Sequence, residues 1–65
     1  MTGKVKHYSA KQGYGFIGSE YGDIFFHYSD LEDRNRVKAG YQVSFNLLAT
    51  ERGLQAKQIA VYEGI

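Results

Sequence analysis

The chain has 65 residues, a formal net charge of +1 and no cysteine. This length predicts one domain over residues 1–65, and the lack of cysteine excludes disulfides and thiolate metal sites. No apolar run approaches the roughly 18 residues of a membrane span, and the N-terminus has no signal-peptide core. We therefore expect a cytoplasmic protein that does not enter a membrane.

Alternation of apolar and polar residues predicts five short strands. In chain order they are residues 4–9, 13–19, 23–29, 41–49 and 53–62. Residues 30–39 are too few and too polar for more than one turn of helix. Five strands without a packing helix predict an all-β, strongly curved sheet, which closes into a barrel and thereby removes its exposed edges.

Charge is distributed unevenly along the chain. Lys4, Lys6 and Lys11 precede every acidic residue, whereas the acids begin at Glu20. A basic stretch of this kind is compatible with a polyanionic ligand. An ordinary solvated surface with mixed charges explains the same pattern and is the more common case, so charge alone favours that interpretation.

Six of the ten aromatic residues fall within residues 14–28. Side chains alternate between the two faces of a strand. Because Asp23 and His27 do not suit a core, their face of the third strand is predicted to point outward. The same reasoning gives an inward set of Ile17, Ile24 and Phe26, and an outward set of Tyr14, Phe16, Phe25 and His27.

The outward set predicts an exposed group of rings beside the first lysines. Bases of single-stranded nucleic acid stack on such rings for about 1–3 kcal/mol each, while cations follow the phosphates. Cross-strand aromatic pairs also stabilise a sheet by about 0.2–1 kcal/mol. The residues alone therefore leave open a nucleic-acid surface, a purely structural patch, or a small barrel that binds a protein or peptide there.

Four segments, GKVKHYSAKQGYGFI, DIFFHYSDL, VSF and RGLQAKQI, together resemble a cold-shock domain. GYGFI and DIFFHY are similar to the family's two ribonucleoprotein motifs in order and spacing. The resemblance implies a five-stranded antiparallel barrel of the oligonucleotide/oligosaccharide-binding (OB) type. It also implies binding of single-stranded RNA and DNA with low sequence selectivity, and a role as an RNA chaperone or cold-shock regulator.

Carried over by position, the resemblance implies that five rings stack on bases: Tyr14, Phe16, Phe25, His27 and Tyr28. Alternation places Tyr28 on the inner face with Ile24, so a bulge or bend is needed to turn this ring outward. The other residues that the resemblance assigns to nucleic-acid binding are Lys6, His7, Tyr8, Lys11, Asp23, Arg52 and Gln55.

Several departures from the family pattern predict weaker binding than that of a typical member. His7 stands at a usual Trp position, which loses stacking area and adds an ionisable side chain. Gln12 stands at a usual Lys position. The loop at residues 32–39 is short and lacks an aromatic residue, although Arg34 or Arg36 could stack there instead.

Other chemistry has little support in the sequence. We find no nucleophile paired with a base and no phosphate-binding loop, so we predict neither an enzyme nor a cofactor. Two histidines without motif spacing make a poor metal site. We expect a monomer, with a strand-swapped dimer through the short loop 32–39 as the alternative.

Overall fold

The computed structural model describes residues 1–33 and 36–62, and within them the chain forms a closed five-stranded barrel. The strand order around the barrel is β1-β2-β3-β5-β4, which confirms the predicted all-β barrel. The strands are β1 (Thr2–Ser9), β2 (Tyr14–Ser19), β3 (Gly22–His27), β4 (Gln42–Thr50) and β5 (Gly53–Val61).

The third strand is shorter than predicted. It ends at His27, and a single 3-10 turn, Tyr28–Asp30, follows immediately. The expected turn of helix therefore begins two residues earlier than the segment 30–39. Lys57 Nζ of β5 contacts Asp30 Oδ2 at 3.3 Å, which ties the turn to the barrel wall.

One seam of the barrel differs from a purely antiparallel arrangement. The pairs β1–β2, β2–β3, β1–β4 and β4–β5 are antiparallel, whereas β3 and β5 run parallel and pair at Phe25 and Gln55. β2 and β4 both run antiparallel to β1, and β3 and β5 run antiparallel to β2 and β4, respectively. β3 and β5 therefore point in the same direction, and the barrel closes where they meet as a parallel pair.

The core confirms the inward assignments. Ile17, Ile24 and Phe26 are completely buried, and Val43 and Phe45 of β4 join them. Tyr41, which the sequence placed at the start of the fourth strand, precedes β4 and is exposed.

Gly15 marks the closest approach of β1 to β2. A Cβ atom at this position would lie 2.3 Å from the carbonyl oxygen of His7 and 2.7 Å from Cζ of Phe26. Both contacts are far inside van der Waals distance, so any side chain would force the strands apart or displace the core ring. Only a glycine permits so close an approach of the two backbones at this position.

A bulge in β1 reverses the faces of the residues that follow it. Val5 pairs with Ile17 and His7 pairs with Phe16, so two steps along β1 match one step along β2. Strict alternation from the buried Val5 would turn His7 inward. With Lys6 as the extra residue, Lys6 and His7 are both exposed and Tyr8 is half-buried.

Two further properties hold for the residues that the structure describes. They include no helix long and apolar enough to cross a membrane. In the same part of the chain, no three His, Cys, Asp or Glu side chains come close enough together to hold a metal ion.

Candidate nucleic-acid interface

Three aromatic rings of β2 and β3 form one contiguous cluster on the outer surface. The rings of Tyr14 and Phe25 are stacked, with centroids 5.8 Å apart and planes 26° apart. Phe16 meets Phe25 edge to face at 5.9 Å and Tyr14 edge to face at 6.1 Å. We call these three residues the ring platform. Phe25 remains 36% exposed, so a flat ligand can reach it.

Two platform residues, Phe16 and Phe25, lie in a row of residues that crosses four strands. His7 of β1 pairs with Phe16, Phe16 pairs with Phe25, and Phe25 pairs with Gln55 of β5. Paired residues place their side chains on the same face of a sheet. The β1 bulge therefore brings His7 into this row, and the parallel seam brings in Gln55.

A second ring pair extends the surface beyond the end of β3. His27 pairs with Tyr14 across the sheet, and its ring lies 4.7 Å from the ring of Tyr28. His27 Nδ1 accepts a hydrogen bond from the Ser29 amide, which leaves Nε2 as the donor of the neutral ring. The 3-10 turn, rather than a bulge, carries Tyr28 outward, and this ring is 36% exposed.

Gly13 supports Tyr28 in this position. Its φ of +84° is unfavourable for residues with a side chain. A Cβ atom on Gly13 would lie 3.0 Å from Cδ1 of Tyr28, so the ring rests directly on the glycine. The Tyr28 amide donates to the Gly13 carbonyl oxygen at 2.9 Å, and both contacts hold the ring beside β2.

Lys6 and Asp23 lie together at the other end of the platform strands. Lys6 Nζ is 3.0 Å from Asp23 Oδ1, and the two side chains are 59% and 55% exposed. The stem of Lys6 crosses over Gly18. An ion pair this exposed contributes roughly 0–1 kcal/mol, so a phosphate or a base edge can compete for either partner at little cost.

Arg52 and Gln55 border an open cavity of about 360 Å³ next to the platform. Phe25 and Leu54 provide its apolar walls, and Thr50 completes the lining. Thr50 Oγ1 is engaged locally, accepting from the Arg52 amide at 3.2 Å and donating to the Gly53 carbonyl at 2.8 Å. The cavity therefore combines flat apolar contacts with a guanidinium and an amide, which suits an unpaired base.

Sequence reasoning did not assign Thr50 or Leu54 to the site. Thr50 ends β4 and Leu54 lies near the start of β5, each two residues from Arg52. Their position beside an expected ligand contact was the available signal. Their contribution depends on the parallel pairing of Phe25 with Gln55, which local patterns do not reveal.

Three of the predicted residues stand apart from the platform. Tyr8 points toward the core, where its ring stacks on Phe26 at 5.7 Å, so its part in binding stays a prediction. Lys11 is exposed in the turn between β1 and β2. Arg36 is also exposed, and Arg34 lies outside the described residues.

A family model described as the 'Cold-shock' DNA-binding domain matches residues 1–62. The chain belongs to the cold-shock domain family. This is a nucleic-acid-binding family without enzymatic activity, so membership does not favour the alternative of a peptide-binding barrel. Membership confirms the resemblance of the sequence segments to this family.

Individual cold-shock proteins resemble the chain over nearly its whole length. A "Cold shock-like protein" of Thermotoga maritima is 41% identical, with 97% of this chain and 100% of the relative covered. "Cold shock-like protein CspC" of Bacillus cereus is 37% identical, with 91% and 95% covered. "Cold shock-like protein CspD" of Vibrio cholerae is 39% identical, with 97% and 88% covered.

A solved structure has the same fold. "Drosophila Unr CSD456" superimposes with a TM-score of 0.75 at 25% identity over 94% of this chain. The chain spans only 26% of that longer structure, so the likeness concerns about a quarter of it.

Proposed function

We propose that this cold-shock domain binds single-stranded RNA and DNA with low sequence selectivity. Bases stack on Tyr14, Phe16, Phe25, His27 and Tyr28, and His7 provides a further, smaller surface. Lys6, Lys11 and Arg52 contact phosphates or base edges. Asp23 accepts hydrogen bonds from bases, and Gln55 donates or accepts them.

The observation that carries this proposal is the outward ring platform. Three rings in mutual contact lie on a sheet surface, beside an exposed lysine and a cavity bordered by arginine. Stacking on rings tolerates any base because every base has a π-face, which accounts for low selectivity. A duplex hides these faces, so only unpaired strands gain the stacking energy.

We further propose that the protein acts as an RNA chaperone, as one domain over residues 1–65 and as a monomer in the cytoplasm. Several weak stacking contacts capture bases that open transiently in a folded RNA. Binding then shifts the RNA toward open forms by the difference in affinity for the two states. No covalent chemistry and no cofactor are required.

Affinity for a short pyrimidine strand should be lower than that of a family member with a Trp at position 7. The imidazole of His7 offers less stacking area than an indole, and a strand loses about 1–3 kcal/mol for each lost stacking contact. The remaining stacking residues still provide enough contacts for a dissociation constant of roughly micromolar or below.

Tyrosine fluorescence provides a direct test, because the chain has six tyrosines and no tryptophan. Titration with heptathymidine should quench the fluorescence, and added salt should reverse the quenching. With three or four phosphate contacts, the slope of log K against log salt should be about −2 to −3. A fully paired 20-base-pair duplex is the control.

Two outcomes would count against the proposal. The first is an unchanged tyrosine signal up to high micromolar heptathymidine, confirmed by calorimetry. The second is equal affinity for the duplex, which would indicate simple charge attraction instead of stacking. The chaperone role has a separate readout: an RNA hairpin labelled with a fluorophore and a quencher should open when the protein is added in excess.

A further inference from the structure

Gly18 leaves an empty place on the outer surface of the barrel, next to the ring platform. It pairs with Lys4 of β1 and with Asp23 of β3, so the three residues form one row across the strands. Phe16 lies two residues earlier on β2, so Gly18 belongs to the same outer face of this strand. Because Gly18 has no side chain, the centre of the row leaves room above the backbone of β2.

The side chain of Lys6 fills this place. Lys6 is the extra residue of the β1 bulge, so it has no partner of its own on β2. A Cβ atom on Gly18 would lie 2.9 Å from Cδ and 3.1 Å from Cγ of Lys6, so the lysine stem lies directly on the glycine. The stem crosses β2 at this point, and Nζ reaches Asp23 Oδ1 at 3.0 Å.

The crossing at Gly18 determines where the ammonium group of Lys6 lies. A lysine side chain that extends freely into solvent has many rotamers and loses most of them when it binds a ligand. Here the glycine below the stem and the carboxylate at its end favour one arrangement, with the charge beside Asp23 of β3. Both charged side chains are more than half exposed, so an anionic ligand can still reach the ammonium group.

We propose that Gly18 is a positioning residue for nucleic-acid binding. Its lack of a side chain lets Lys6 cross β2 and hold its ammonium group at the Asp23 end of the ring platform. This inference rests on the proposed function, in which Lys6 contacts a phosphate or a base edge. A cation that already lies in place costs less conformational entropy on binding, so part of the affinity depends on the vacancy at Gly18.

Gly18→Val should make the barrel more stable. The added Cβ atom overlaps the Lys6 stem, but the nearest backbone atom, the Lys4 carbonyl oxygen, lies at an ordinary contact distance of 3.7 Å. A flexible lysine stem moves away at little cost, so the barrel remains folded. The φ of Gly18 is not positive, and valine favours strands where glycine does not. The variant should therefore unfold at a higher denaturant concentration than the parent.

The same substitution should weaken binding. Once displaced from position 18, the ammonium group of Lys6 has no fixed place and must be ordered by the ligand. The dissociation constant for heptathymidine should rise about 3- to 10-fold, the cost of ordering one long side chain. The rise should not exceed that of Lys6→Ala, which removes the ammonium group altogether. A merely structural role of Gly18 predicts no loss of affinity in a more stable variant.

A double variant shows whether the effect of position 18 passes through Lys6. In Lys6→Ala the stem is absent, so adding Gly18→Val should cause no further loss of affinity. A valine that simply blocks the ligand would weaken Lys6→Ala by the same factor as it weakens the parent. Gly18→Ala is a second, smaller substitution with the same clashing Cβ atom, and its affinity should change in the same direction.

Two controls complete the experiment with the 65-residue chain. Ala60→Val enlarges a residue of β5 that alternates with the buried Ile59 and pairs with Ser44, outside the row of Gly18. It should bind heptathymidine like the parent. NMR of the free parent tests the arrangement without nucleic acid, since a nuclear Overhauser effect should connect the side-chain methylene protons of Lys6 with the α protons of Gly18.

Three results would overturn the proposal while the parent binds heptathymidine. One is unchanged affinity in both Gly18 variants. Another is an equal loss from Gly18→Val with and without Lys6, which would indicate direct obstruction of the ligand. The third is the absence of the nuclear Overhauser effect between Lys6 and Gly18 in the parent. A parent that does not bind heptathymidine would refute the proposed function itself, and the positioning role with it.

Discussion

Replacement of Phe25 tests the ring platform most directly. Phe25 contacts both other rings of the platform, and it is the platform residue that also lines the neighbouring cavity. Phe25→Ala should remove the stacking of about one base, a loss of 1–3 kcal/mol, and so raise the dissociation constant for heptathymidine about 5- to 150-fold.

The same substitution also affects folding, and the structure allows an estimate. Phe25 forms two ring pairs, with Tyr14 and Phe16, each contributing about 0.5–1.5 kcal/mol. The free energy of unfolding should therefore fall by about 1–3 kcal/mol. Because a domain of this size has only a few kcal/mol of stability in total, binding must be measured well below the unfolding transition.

Phe25→Leu separates the two effects. Leucine preserves most of the apolar contact with the sheet but offers no aromatic face to a base. We expect Phe25→Leu to bind as weakly as Phe25→Ala while losing less stability. Affinity comes from titration calorimetry at about 10 °C, and stability comes from thermal unfolding followed by circular dichroism.

Tyr62→Ala is the matched control. This ring is 46% exposed, lies beyond the end of β5 and takes no part in the platform, so its removal should not change the affinity. The reasoning is refuted if both Phe25 variants bind heptathymidine like the parent while remaining folded. It is also refuted if Tyr62→Ala weakens binding as much as Phe25→Ala does.

Three further substitutions test other parts of the structure. Gly15→Ala should lower the free energy of unfolding by about 1–3 kcal/mol, measured by denaturant unfolding, because the added methyl group overlaps the β1 backbone and Phe26. Gln58→Val should lower the free energy of unfolding by about 1–2 kcal/mol, because a β-branched residue tolerates a φ of 52° poorly. Strand propensity alone predicts a more stable variant, so an increased free energy of unfolding would contradict the structure. Lys6→Ala should make the slope of log K against log salt shallower by about one unit, because one phosphate contact is lost. The melting temperature should stay nearly unchanged, because the ion pair of Lys6 with Asp23 is exposed. An unchanged slope would show that Lys6 does not contact a phosphate.

Much of the architecture could be predicted from local pattern. Alternation in residues 13–29 correctly separated the buried Ile17, Ile24 and Phe26 from the outward rings. This works because one face of each strand must be buried, and a charged or polar residue such as Asp23 marks the other face. The resemblance to cold-shock domains extended the prediction to residues such as Gln55, which alternation does not assign to any site.

Alternation failed where the chain leaves regular strand geometry. The extra residue in β1 turns His7 outward and Tyr8 inward, and the 3-10 turn after His27 carries Tyr28 to the surface. The neighbouring residues do not indicate reliably that a bulge or a turn forms at these positions. Each forms because of the tertiary contacts that it allows, such as the stacking of Tyr8 on Phe26.

The amino-acid order of this protein is enough to specify strands, an inner and an outer face, and an aromatic surface suited to bases. Those features follow from local alternation, because each strand must bury one face and its own residues show which face is apolar. The closing of β3 against β5 and the cavity beside Arg52 arise only when distant segments meet. They depend on the curvature and stagger of the whole barrel, which no single segment encodes.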